Sequence, residues 1–140
     1  YELMYVVGTE RDLIGLRANH RKDQVFVYPA KASKEQIRSL FVAMLERANA
    51  LAEEPEFYNS LTNTCTTNIV RHVNTLLPGR IPLRPAVFFP GYSDQLAYEL
   101  GLIETGVPLE QLRERYRVND KAAQYAESTD FSAKIREQLR

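Results

Sequence analysis

Between Ser33 and Pro55 the apolar residues recur at three- and four-residue steps: Ile37, Leu40, Phe41, Met44, Leu45, Ala48 and Leu51. A stripe with this period marks an amphipathic helix, and both of its ends are signalled. Ser33 and Gln36 fit a capping box, in which the Ser hydroxyl accepts from the third helical N–H and the Gln side chain reaches back. Pro55 bars continuation. A helix with one apolar side needs a cover for it, so the stripe is expected to face the core. Phe41→Ala is then expected to cost about 3–5 kcal/mol.

The other elements are arranged around this helix. Tyr1 to Val7 is rich in aromatic and β-branched residues and ends at Gly8, the pattern of a buried strand. Val25–Tyr28 reads as a second strand, stopped by Pro29. The connection between them is charged (Arg11, Asp12, Arg17, His20, Arg21, Lys22, Asp23) and has room for a short strand at Leu13–Leu16. A second helix is predicted over Thr64–Leu77, ended by Pro78-Gly79. The connector from 78 to 92 holds four of the seven prolines, yet Ile81, Leu83, Val87, Phe88 and Phe89 need burial. Short helices follow at Ser93–Leu100, ended by Gly101, and at Pro108–Tyr116, with Pro in the first turn. Residues 119–140 alternate charges and read as partly helical and peripheral. The whole is expected to be a single α+β domain, a small antiparallel sheet packed against the Ser33 and Thr64 helices. At 140 residues such a domain buries about two-thirds of its unfolded surface, enough for a core without disulfides or metal.

Composition removes several functional classes. Lys and Arg number 18 against 18 Asp and Glu, spread through both halves, so no basic face is available to neutralise phosphates and a nucleic-acid partner is not expected. The longest apolar runs, Leu3–Val7 and Ala86–Phe89, fall far short of the ~20 residues of a spanning helix. Membrane contact is therefore expected only through parts outside this chain. The first residue is Tyr rather than Met, and the chain opens directly in a strand pattern, as a piece of a longer protein would. One cysteine excludes an internal disulfide and every multi-cysteine zinc pattern. Two histidines without a His-x-x-x-His pair argue against a metal site. There is no Gly-rich phosphate loop and no Gly-x-Ser-x-Gly, so no cofactor is expected.

The most informative stretch is Tyr58–Asn68, a polar run leading into a helix with Cys65 at or near its start. Unpaired N–H groups and the positive end of the helix dipole lie there, and both favour the reactive thiolate. Asn63 and Thr64 are natural N-caps, and Asn63, Thr64 and Thr66 are the candidate binding residues beside the sulfur. Cys65 is accordingly a candidate nucleophile; the alternative is a small buried residue that only packs. A nucleophile needs a base within hydrogen-bond reach. His72 follows Cys65 by two helical turns, about 10.5 Å along the axis, too far for direct proton transfer. His20 is the candidate base, with a solvated loop position as its other reading. Glu10-Arg11-Asp12 reads first as a structural ion-pair cluster, with the lining of a site as its other reading, and Pro90–Asp94 reads first as a turn and helix cap. Tyr1, Tyr5, Tyr28, Tyr58, Tyr92 and Tyr98 read mostly as core aromatics with a polar tip.

Six segments, in order, carry a resemblance to a known family: Tyr1–Val7, Glu10-Arg11-Asp12-Leu13-Ile14, Leu45–Leu51, Pro55-Glu56-Phe57-Tyr58-Asn59, Cys65-Thr66-Thr67-Asn68 and Pro90–Asp94. The chain resembles the bacterial Lnb N-terminal periplasmic domain family, first catalogued as a domain of unknown function. The resemblance implies a permuted papain-like thiol enzyme, in which a His-bearing strand precedes the Cys-bearing helix. It implies a periplasmic or membrane-associated setting and an acyl-bearing lipid or lipoprotein as substrate, since the Lnb member is associated with lipoprotein N-acylation. Two departures stand out. The family has Asn directly before the cysteine, where this chain has Thr64 with Asn63 one position earlier. The family's His-bearing segment should precede Tyr1, which would leave this chain with the nucleophile but not its base, and inactive alone. The expected function is a thiol-dependent acyltransferase or hydrolase of the bacterial envelope. The alternatives are a non-catalytic binding or scaffold module with a structural Cys65, and a cysteine peptidase or amidase acting on cell-wall peptide.

Overall fold

A computed structural model describes every residue except 61, 83, 89 and 138–140. Its helices are α1 (Glu10–Gly15), α2 (Lys34–Glu53), α3 (Cys65–Leu76), α4 (Ser93–Glu99), α5 (Leu109–Tyr116), α6 (Asn119–Gln124) and α7 (Phe131–Lys134). A π-helical turn, Leu16–His20, continues α1, and 3₁₀ turns lie at Pro85–Phe88 and Pro90–Tyr92.

The expected α+β architecture is overturned. Among the described residues there is no sheet, only three isolated antiparallel pairings, Glu2 with Phe57, Phe26 with Arg117 and Asn59 with Asn63. The permuted papain-like arrangement expected with that sheet falls with it. Tyr1–Val7 is not a buried strand: the Leu3 N–H donates to the Glu56 carbonyl at 2.7 Å and the Tyr58 N–H to that of Tyr1 at 2.8 Å, but Met4, Val6 and Val7 are exposed. Val25–Tyr28 likewise pairs through a single bridge, flanked by Val27 N–H to Tyr116 O and Val118 N–H to Val25 O, both 3.0 Å. Rich β-propensity favours extended backbone, but a sheet also needs a third strand. Leu13–Leu16 is helical, because Thr9 caps α1 by accepting from the Asp12 N–H at 3.2 Å.

The chain forms two compact units, residues 1–5 with 31–102, and residues 6–30 with 103–140. In the first, the Ser33–Gln36 capping box starts α2 as expected. The stripe does not become core. Of its members only Leu51 is buried, while Ile37 is 51% and Phe41 62% exposed, and Met44 and Leu45 are exposed as well. α2 packs against α3; Leu40 and Ala48 are half-buried and Leu51 buried, while the Ile37–Phe41–Leu45 side is bare. The core of this unit is instead Ile81, Val87 and Leu96, wrapped by Val70, Val73, Leu100 and Leu102. Asn74 fixes the connector to α3, donating to the Ile81 carbonyl and accepting from its N–H, both at 2.8 Å. Gly79 lies past the end of α3 with φ +72°, a left-handed conformation that glycine adopts without steric cost. The burial expected of the connector holds for Ile81 and Val87, with Phe88 half-buried; Leu83 and Phe89 lie outside the described residues. Tyr1, Tyr58 and Tyr92 are exposed rather than core.

In the second unit, Ala18, Val118, Ala122, Phe131 and Ile135 form the core, with Ile14, Val25, Val27 and Tyr125 packed on it. The segment expected at the periphery thus supplies most of this unit's core, because its alternating charges mask three apolar residues that meet on one side. Glu10-Arg11-Asp12 is structural, as read: Glu10 pairs bidentately with Arg136, and Arg11 donates to the Ser128 carbonyl. No helix among the described residues is long and apolar enough to cross a membrane.

Candidate functional site

The run from Asn59 to Asn68 folds as a closed polar turn that opens into α3. Asn59 and Asn63 exchange backbone bonds of 3.2 and 2.9 Å, narrowing the turn. Thr64 is the N-cap: its Oγ1 accepts from the Thr67 N–H at 3.1 Å, and Thr67 Oγ1 accepts from the Thr64 N–H at 2.7 Å, a complete capping box. Of the two N-caps suggested by the sequence, the fold uses Thr64. Cys65 is therefore the first helical residue, and its thiol is exposed. The Thr67 and Asn68 amides are engaged by Thr64, whereas those of Cys65 and Thr66 have no protein partner among the described residues. Two free N–H groups and the positive helix end thus lie beside the sulfur.

Beneath it the structure is polar and buried. Among the described residues the buried polar side chains are Asn63, Thr64, Thr66, Thr67 and Asn68, all within six positions, with exposed Cys65 in their midst. Each such side chain costs free energy unless its hydrogen bonds are replaced, and among the described residues none is left unsatisfied. Asn63 Nδ2 donates to Glu56 Oε2 and to the Phe57 carbonyl, both at 3.1 Å. Its Oδ1 accepts from Asn68 Nδ2 at 2.9 Å and Arg71 Nη1 at 3.5 Å. Asn68 Nδ2 also donates to the Thr64 carbonyl at 2.8 Å. Thr66 Oγ1 is 3.8 Å from the Cys65 sulfur. Of the three candidate binding residues, then, Asn63 and Thr64 have their side chains engaged within the protein, and Thr66 touches the sulfur.

A charged layer backs this turn. Arg47 of α2 grips Glu56 bidentately, at 2.9 and 2.6 Å. That grip, with Asn63 and the charge of Arg71, holds the Glu56 carboxyl below the usual range. Tyr5 Oη lies 2.8 Å from His72 Nε2, the two rings tilted at 59°. Burial, reinforced by the positive charge of Arg47, lowers the pKa of His72, and burial raises that of the Tyr5 phenol against the opposing pull of Arg47. His72 is thus occupied by Tyr5, two turns along α3 from the thiol. His20 is exposed, at the end of the π-helical turn in the second unit, whereas Cys65 belongs to the first.

Sequence reasoning about chemistry passed over Tyr5, Arg47, Glu56, Asn68 and Arg71. A signal for Arg47 was present: it falls seven residues after Leu40 and four before Leu51, inside the register of the face that does pack. A cation in that register calls for a buried-side partner, and Glu56 supplies it just past the helix end. Among the described residues no group of three His, Cys, Asp or Glu side chains is placed to hold a metal.

The family model described as the Lnb N-terminal periplasmic domain matches residues 1–89, a span that contains the thiol, its buried polar bed and the Arg47–Glu56 pair. No curated protein and no solved structure matches the chain.

Proposed function

Because the chain belongs to the Lnb N-terminal periplasmic domain family, we propose that Cys65 is the nucleophile of a thiol-dependent acyltransferase or hydrolase working at the bacterial envelope. The substrate is an acyl-bearing lipid or lipoprotein, in keeping with the association of the Lnb member with lipoprotein N-acylation. One observation carries the reading: the buried polar side chains among the described residues gather under a single exposed thiol. A cysteine kept for packing would be inside, with apolar neighbours.

In the proposed reaction the Cys65 thiolate attacks the carbonyl carbon of an acyl ester. The C–O bond to the alcohol breaks, the departing oxygen takes a proton, and a thioester remains on Sγ. An amine then attacks the thioester carbonyl, loses a proton and expels the thiolate, giving an amide; water in its place gives hydrolysis. The developing oxyanion is stabilised by the free N–H groups of Cys65 and Thr66, donors of the kind whose loss costs about 10²–10³ in rate in acyl-transfer enzymes.

Incubation with an acylated lipopeptide followed by intact-mass measurement tests the reading. An adduct of acyl mass, mapped to Cys65, released by hydroxylamine and missing from Cys65→Ser, is the expected result. An adduct that survives in Cys65→Ser, or none at all, would overturn it.

A further inference from the structure

We propose that Glu56, clamped by Arg47, is a positioning residue of the thiol site: it holds Asn63 and thereby fixes the turn that presents Cys65. This inference rests on the thiol reading above and adds to it a residue that does not touch the reacting atoms.

The route is a continuous chain of hydrogen bonds. Arg47 donates twice to the Glu56 carboxylate, at 2.9 and 2.6 Å, a fork that fixes the plane of the acceptor as well as its place. Glu56 Oε2 then accepts from Asn63 Nδ2 at 3.1 Å. Asn63 Oδ1 accepts from Asn68 Nδ2 at 2.9 Å, and the same amide nitrogen donates to the Thr64 carbonyl at 2.8 Å. That carbonyl belongs to the peptide bond that joins Thr64 to Cys65. Three links therefore connect a carboxylate at the surface to the peptide unit carrying the nucleophile's N–H.

Burial assigns the chain this purpose. The Arg47 and Glu56 side chains are 23% and 44% exposed, and ion pairs so open to water contribute little to global stability. Asn63, by contrast, is 8% exposed, and a buried amide loses markedly when one of its acceptors is removed. The worth of the pair is thus local, exerted through Asn63 on the first turn of α3. The Arg47 fork also holds the Glu56 carboxyl below the usual range, consistent with an acceptor that stays ionised.

The test is the rate of Cys65 alkylation by iodoacetamide in the full chain at one fixed pH, with melting temperature measured in parallel. Since the thiol is already exposed, loosening the turn adds no access, and a slower reaction reports lost orientation. Glu56→Ala is expected to slow alkylation about threefold to tenfold, the factor one hydrogen bond carries. Glu56→Gln, which keeps an oxygen for Asn63, should stay within about twofold of wild type on the same argument. Asn63→Ala should reproduce Glu56→Ala, and the double variant should be no slower than Asn63→Ala, as members of one network are not additive. A rate for Glu56→Ala equal to or above wild type, a Glu56→Gln as slow as Glu56→Ala, or an additive double variant overturns the proposal. Should Glu56→Ala lose its cooperative melt, Arg47→Ala takes its place with the same expectations. If no acyl-enzyme forms while these rate differences appear, the thiol-enzyme reading falls and the positioning stands; an acyl-enzyme with no rate differences has the opposite meaning.

Discussion

The Tyr5 hydroxyl and His72 Nε2 lie 2.8 Å apart, tying the first residues of the chain to the third turn of the helix that begins with Cys65. Leu3, two residues earlier, is bound through its N–H to the Glu56 carbonyl. The N-terminal segment therefore meets the thiol-bearing helix and the charged clamp behind it, although the segments are far apart in sequence. A helix start alone gives a sulfur some electrostatic help; the ties at Tyr5, Glu56 and Asn63 also fix where the helix points.

His72, partly buried beside Arg47, makes stability pH-dependent with a definite sign. The pKa of His72 is lowered by burial and then by Arg47, so the unfolded chain, with its ordinary imidazole near about 6.5, binds the proton more tightly. The contribution is full above that value and is lost as pH falls through the lower folded value. Denaturant unfolding between about pH 5 and 8 stays above the range where the paired carboxyls Glu10 and Glu56 weaken the fold. As pH falls across this interval, stability should decline more steeply in wild type than in His72→Gln, where that titration is gone. Parallel curves would mean that the ring is solvated.

Ile135 is wholly buried in the core of the second unit, beside Ala122 and Phe131. Ile135→Ala should cost about 2–5 kcal/mol, read from the shift of a denaturant midpoint. A loss below about 0.5 kcal/mol, the range of surface substitutions, would place the C-terminal segment back at the periphery.

What the sequence disclosed was local. The capping box at Ser33, the helix opening at Thr64–Cys65, and the stops at Pro78-Gly79 and Gly101 depend on neighbours three or four residues away, and all are in the structure. What it concealed was partnership. Tyr1–Val7 has the side chains of a strand, but among the described residues its backbone pairs only with residues 56–58, and a β-rich composition cannot name a partner that is missing. Ile37 and Phe41 have the helical period of a core face, but period identifies a face without saying what covers it. At the site, Cys65 was visible because a thiol beside caps has a local physical meaning. Glu56 acquires its meaning only when the chain returns on itself and meets Arg47.

For Phe41 the structure reverses the expectation drawn from periodicity. At 62% exposure there is little apolar contact to lose, and Phe41→Ala should cost less than about 1 kcal/mol. Urea unfolding of the variant decides it: a loss of about 3–5 kcal/mol, the core value, would show the face to be covered in solution.

Thr66 gives the sharpest separation of chemistry from stability. Its side chain is buried, its Oγ1 is 3.8 Å from the Cys65 sulfur, and no other partner of that hydroxyl is found among the described residues. A hydroxyl in contact with the sulfur helps to hold it in one orientation for attack. Thr66→Val keeps the β-branched shape and removes only the hydroxyl, so the buried packing survives and no polar atom is orphaned. Melting should be unchanged, while alkylation of Cys65 by iodoacetamide at fixed pH should slow about threefold to tenfold. Thr66→Ser, which retains the oxygen, should react as wild type does. Equal rates for all three proteins would sink the idea, because the hydroxyl would then serve only to fill space beneath the turn.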